Sequence, residues 1–331
     1  VRRIWLTSYP DMATSVVVAF AGIAAWAWIL SAAKPDGSER SRALTFALLL
    51  ALLVNIKQAN LVLVVALVVS SGMVALRDRE IRFSIFLKRL PLLIGLPLVM
   101  YFTWRYYLVV VSPLTENKMA AVGDWPIERL PELLRYMGVV VYRKALYFAL
   151  ALGFVVWGLR SWMKGSPTPF DRLAIIVGAT FVGYNLFLML IFIAHFGGYP
   201  QSYWRFNTHI GYLITAATVF GLGQLYRLNR EKIEIWCGRT VPRIGMVLVV
   251  AVPLLQVATA NYWRYDLEVP KPMLRDAGRA LAGTLPPNAA VGVIVPGDQG
   301  NFTSMFVYYV RQSRADLYSA PINNDAELDK F

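Results

Sequence analysis

Runs of apolar residues too long for most water-soluble folds recur along this chain, and they restrict it more than any other feature. They lie at about 12–32, 43–56, 60–76, 91–110, 140–160, 173–195, 207–226 and 244–262. A helix needs roughly 17–25 mostly apolar residues to cross about 30 Å of hydrocarbon. Lipid offers no hydrogen bonds to a bare backbone, so each run reads as a helix. Composition agrees: charged residues make up 16% of the chain, against about 25% in an ordinary soluble domain. With 331 residues, there is room for one multi-span unit and a small additional domain. The expected fold is an all-α polytopic membrane bundle of about eight spans over residues 1–263, followed by a small α/β segment over 264–331.

The net charge of +13 suggests nucleic acid until its distribution is examined. The basic residues sit in short clusters between apolar runs, the pattern that orients membrane proteins, and a nucleic-acid partner is excluded on that ground. The stretch 43–76 is long for one span and short for two, and Asn55, Lys57, Gln58 and Asn60 interrupt it. If it is a hairpin, the loops 33–42, 77–90, 160–172 and 227–243 share one side. That side then collects clusters such as Arg77, Arg79, Arg82, Lys88 and Arg89. The opposite short loops hold only Lys57, Lys118, Arg129, Arg135, Arg143, Lys144 and Arg205. As one span, 43–76 would split the basic loops between two sides, so the hairpin is favoured. It places the 111–139 and 196–206 loops and everything after Trp263 on the outer face. The implied location is the cytoplasmic (inner) membrane, with an extracytoplasmic C-terminal segment. Trp104, Tyr106, Tyr107, Tyr203, Trp204, Tyr262, Trp263 and Tyr265 fall at the outer ends of spans, where such rings anchor at the headgroup level.

The chain opens on Val1 with no signal-peptide pattern in residues 1–10 and stops at Phe331 after an acidic stretch. A piece of a longer chain, with earlier spans upstream, is expected. Cys237 stands alone in a basic loop, without a disulfide partner or metal spacing. In the tail, Leu274–Leu285 and Phe302–Arg311 read as helices. Ala289–Val295 and Ala315–Ser319 read as strands, an incomplete α/β unit. Gly297, Asp298 and Gly300 lack Walker or dinucleotide spacing and read as a turn. Asn301-Phe-Thr303 is a three-residue glycosylation match and no more.

Ionisable residues at membrane depth are costly, and they usually face a cavity or a partner. Asp11, in Tyr9-Pro-Asp11-Met, enters the first span and reads as a helix cap or a functional carboxylate. Lys57, in Asn55-Ile-Lys57-Gln-Ala-Asn60, follows a short helix. It sits recessed below the outer surface, snorkelling or lining a cavity. Arg205 and His209 are four apart and share a helix face. They suit a phosphate, the Arg by a bidentate fork and the His by a hydrogen bond or proton transfer, or else they anchor at the interface. Arg105 lies near enough to an outer end to snorkel. Glu116, Asp124 and Glu128 offer carboxylates that no spacing singles out, and His195 reads as structural.

In the order and setting of these motifs the chain resembles the GT-C superfamily of polyprenyl-phosphate-sugar glycosyltransferases, in the branch of protein O-mannosyltransferases and aminoarabinose transferases. A Tyr-Pro-Asp11 loop enters a long span. A helix pair has the apex Asn55-Ile-Lys57-Gln-Ala-Asn60. An aromatic outer loop with Arg205 opens a later span, and an outer domain closes the chain. The resemblance covers most of the 331 residues through short, degenerate motifs. It implies a donor that is a polyprenyl-phosphate-linked sugar, an acceptor that is lipid, glycan or protein, and surrounding membrane lipids. Lys57 and Arg205 would neutralise the phosphate, with His209, Tyr9, Asn60 and Tyr203 in the substrate site. The main catalytic base would lie in a first outer loop before Val1. Asp11 would fill the second acidic position, orienting the acceptor or a divalent cation, while the metal ligands themselves stay unknown. A transporter or flippase of a lipid-linked or anionic substrate would also place cations at this depth, but only 43–76 is broken and no second half mirrors it. A non-catalytic scaffold leaves Lys57 and Arg205–His209 unexplained. The transferase reading requires Asp11, Lys57 and Arg205 to converge on one outward-facing cavity.

Overall fold

The computed structural model describes residues 11–33, 37–110, 122–165, 167–194, 202–231, 271–293 and 301–321. The chain forms two compact units, residues 3–238 and 239–331.

The first unit is a helical bundle: α1 (Asp11–Ala33), α2 (Glu39–Ile56), α3 (Leu61–Arg77), α4 (Phe83–Val110), α5 (Leu130–Arg143), α6 (Ala145–Lys164), α7 (Pro169–Ala194), α8 (Tyr203–Asn207) and α9 (Gly211–Leu228). Among the described residues five stretches are long and apolar enough to cross a membrane: Asp11–Ala33, Gln58–Arg77, Phe83–Tyr107, Ala145–Lys164 and Pro169–Ala194. The chain is an integral membrane protein on this character. The expected span 244–262 lies outside the described residues. Within 43–76 the backbone makes two helices joined by a 3₁₀ turn over Gln58–Asn60.

The largest differences from the hydropathy reading are in two places. α4 starts at Phe83 rather than 91 and continues through Pro91 and Pro97. Each proline removes one backbone hydrogen bond without ending the helix. The expected span 140–160 is divided: α5 ends at Arg143, Lys144 takes a non-helical conformation, and α6 begins at Ala145. α5 is amphipathic, burying Leu133 and Met137 while Glu132 and Arg135 stay exposed. An apolar average over 140–160 cannot register that break.

α6 and α7 approach closely because glycines face each backbone. A Cβ on Gly178 would lie 2.7 Å from the Phe154 carbonyl oxygen, and one on Gly158 would lie 2.8 Å from that of Ala174. Gly178→Ala is expected to force the helices apart at a cost of about 1–3 kcal/mol. Gly153→Ala, with nothing within 4 Å of its Cβ position, should be tolerated. Equilibrium unfolding in detergent checks this, and equal stability of the two variants contradicts it.

The basic-loop end is fastened by polar contacts. Thr168 and Asp171 form a reciprocal cap: Asp171 Oδ2 accepts from Thr168 N at 2.9 Å, and Asp171 N donates to Thr168 Oγ1 at 3.2 Å. Pro169 follows at the first helical position, where its missing N–H costs nothing. The buried Arg172 donates to Asp78 at 2.6 Å and also to Glu80, joining the α3–α4 turn to α7. Glu39 receives Arg89 at 2.8 Å, and that guanidinium holds its carboxyl below the usual range.

In the second unit, α10 (Lys271–Thr284), β1 (Ala290–Val293), α11 (Asn301–Ser313) and β2 (Tyr318–Pro321) are described. β1 pairs in parallel with β2, Ala290 opposite Tyr318, and α11 makes the crossover. β2 starts later than the expected 315–319 because Arg314 and Asp316 form a turn, the guanidinium donating to the carboxylate at 2.6 Å. That contact pulls the Asp316 carboxyl down to about 2. Arg314 also donates to the Ala282 and Leu285 carbonyls at 3.2 and 3.3 Å, closing the end of α10.

Candidate functional site

The site is assembled from the first turn of α1. Asp11, Thr14 and Ser15 recur at helical spacing on one face, and they are 1%, 0% and 4% exposed. Polar groups buried this deeply need partners, and each finds one outside α1. Asp11 receives Arg205 Nε on one oxygen and His209 Nε2, at 2.8 Å, on the other. Thr14 Oγ1 accepts from Asn60 Nδ2 at 3.0 Å. Ser15 Oγ donates to the Thr208 carbonyl at 2.8 Å. One turn of helix thus holds both the 57–60 apex and the α8 segment.

Arg205 lies in α8 and His209 in the 3₁₀ turn that follows. They do share a face, and what they meet there is Asp11. Both Asp11 oxygens are committed to side chains rather than to a helix cap. Lys57 sits in extended backbone between α2 and the 3₁₀ turn. Its Nζ lies 5.3 Å from the Phe206 ring centroid, with the Arg205 guanidinium 5.8 Å from the same ring. Phe206 therefore has both cations at its ring. Among the described residues no carboxylate lies within ion-pair distance of Lys57. With the imidazole neutral, one carboxylate faces two cations, and among the described residues the cluster is cationic by one charge.

Other expected contacts turn inward. The Asn60 amide is spent on Thr14 and, at 2.9 Å, on the Leu53 carbonyl. Tyr203 donates its hydroxyl to Asn185 Oδ1 at 2.8 Å and stacks on Phe148. Asn55 accepts from Trp104 Nε1 at 3.3 Å. Asp124 and Glu128 are exposed on separate 3₁₀ turns. Tyr9, Glu116 and His195 lie outside the described residues. The sequence reading passed over Tyr184, whose hydroxyl lies 2.7 Å from His209 Nδ1. It also passed over Thr14 and Ser15, although their spacing from Asp11 is a readable signal. Tyr184-Asn185, a polar pair inside an apolar run, is another.

Asp11 does not suit a divalent cation, because both of its oxygens already serve cationic or N–H donors. Among the described residues no group of three or more His, Cys, Asp or Glu is placed to hold a metal. A cavity of about 570 Å³ lies at the other end of the bundle, between α6, α7 and α9, lined by residues such as Phe154, Trp157, Phe170 and Leu225. None of the predicted site residues lines it. The charges expected to converge are together, and the large cavity is elsewhere. No family model, no curated protein and no solved structure matches the chain.

Proposed function

We propose that the chain is a membrane glycosyltransferase of the GT-C kind, moving a sugar from a polyprenyl-phosphate donor to an acceptor at the outer face of the cytoplasmic membrane. Residues 264–331 would form a small extracytoplasmic α/β domain. One observation carries the reading: Lys57 and the Arg205–His209 segment, from distant parts of the sequence, gather with Asp11 at the ends of apolar helices. When a glycosidic bond to phosphate breaks, negative charge develops on the leaving oxygens. Cations fixed in advance at that position lower the barrier. Among the described residues Lys57 has no carboxylate partner to give up. Arg205, 30% exposed beside an Asp11 that is 2% exposed, extends from a buried anchor toward the surface. The reading assigns the phosphate end of the donor to these two residues. It assigns the acceptor's base to no described residue.

A structural clamp, in a transporter, flippase or non-catalytic scaffold, is favoured by one fact: Arg205 and His209 are already bound to Asp11. The two readings separate in one assay. Membranes carrying the protein are given a labelled polyprenyl-phosphate sugar, and transfer to acceptor is followed for the wild type, Lys57→Ala and Arg205→Ala. Transfer that falls in both variants supports the proposal. Turnover unchanged in both removes the phosphate assignment.

A further inference from the structure

Tyr184, in the middle of α7, is 4% exposed, and His209 and Asp11 are 2% and 1% exposed. The imidazole lies between them, with Nδ1 2.7 Å from the Tyr184 hydroxyl and Nε2 2.8 Å from Asp11 Oδ1. An ionised carboxylate only accepts, so Nε2 must carry a proton. Nδ1 can accept from the phenol as a neutral imidazole or donate to it as an imidazolium. The charges facing the ring decide. Arg205 already supplies the countercharge of Asp11, and Lys57 stands across Phe206. Among the described residues an imidazolium would be a third cation for a single carboxylate, buried without compensation. The imidazole is therefore neutral, with the proton on Nε2 and the Tyr184 O–H donated to Nδ1. Both nitrogens are then spent within the protein.

We propose that Tyr184 and His209 are positioning residues. They form a relay, Tyr184 to His209 to Asp11, that fixes the carboxylate and through it aims the Arg205 guanidinium, while His209 makes no contact with the donor phosphate. The relay stands on the geometry above. Its effect on turnover rests on the transferase reading.

The chain has two histidines, so His195→Gln leaves His209 as the single imidazole for ¹⁵N-histidine NMR in lipid nanodiscs. The expected spectrum shows Nε2 protonated and Nδ1 bare, unchanged when polyprenyl phosphate is added. Tyr184→Phe, which keeps the ring and removes the donor, should leave the proton on Nε2, where Asp11 holds it, and shift the resonance of the bare Nδ1. It should also lower turnover about tenfold, the scale of one lost hydrogen bond, with donor KM held within about twofold. A proton on Nδ1, a doubly protonated ring, or ¹⁵N shifts that follow phosphate addition would overturn the relay. So would an Nδ1 shift and a turnover both unchanged in Tyr184→Phe. If the wild type transfers no sugar, the transferase reading fails, while the tautomer still reports on the relay by itself.

Discussion

Arg205→Ala should destabilise the protein by about 3 kcal/mol, the lower end of the range for breaking a buried ion pair. The loss arises at Asp11. That carboxylate is 1% exposed, and its two oxygens are held by Arg205 and His209. Without the guanidinium, a buried charge keeps a single neutral donor. The lower end applies because the Arg205 side chain is 30% exposed, so water already shares its solvation. Asp11→Asn in the Arg205→Ala background removes the orphaned charge and should restore most of the stability, giving a double-mutant coupling of about 2 kcal/mol. Unfolding equilibria of the two single variants and the double variant measure it. A coupling below about 0.5 kcal/mol would place the pair among exposed surface bridges and remove Asp11 as the anchor of the site.

Lys57→Ala should have the opposite profile. Among the described residues Lys57 has no carboxylate partner, and its Nζ lies against the Phe206 ring. Its removal should shift stability by no more than about 0.5 kcal/mol. Sugar transfer should fall by about a hundredfold to a thousandfold, the range for deleting one preorganised group that meets developing charge. Lys57→Arg should retain part of the activity, since it keeps the charge and changes the reach. Two cations at one ring would thus behave differently, Arg205 in both stability and turnover and Lys57 in turnover alone. A Lys57→Ala variant that is both fully active and fully stable leaves the residue as a snorkelling side chain.

The helices were readable in the sequence because lipid demands long apolar runs, and α1, α3 and α7 lie close to the runs that announce them. The 43–76 hairpin came from charge placement, since only a reversal keeps the basic loops together. The break at Lys144 did not register, because α5 is amphipathic and adjoins the apolar start of α6. At the site, residue types were legible and partners were not. Asp11 and Arg205 are 194 positions apart, and no local pattern marks them as a pair. The resemblance implied Asn60 and Tyr203 in the substrate site, and nothing local announced that their polar groups meet Thr14 and Asn185. Tyr184 sits inside a run whose hydropathy hides it. The Tyr184-Asn185 pair marks the place, and the 2.7 Å distance to His209 Nδ1 shows the partner.

The most direct test places the donor's phosphate. A polyprenyl-phosphate analogue carrying a photoreactive group beside the phosphate is reconstituted with the protein, irradiated, and the adduct mapped by peptide mass. The account predicts labelling within the segments that hold Lys57 and Arg205–Phe206, lost when excess unlabelled polyprenyl phosphate is present and weakened in Lys57→Ala. Labelling confined to the Phe154–Leu225 cavity at the other end of the bundle, or labelling at Lys57 that excess ligand does not reduce, would contradict it.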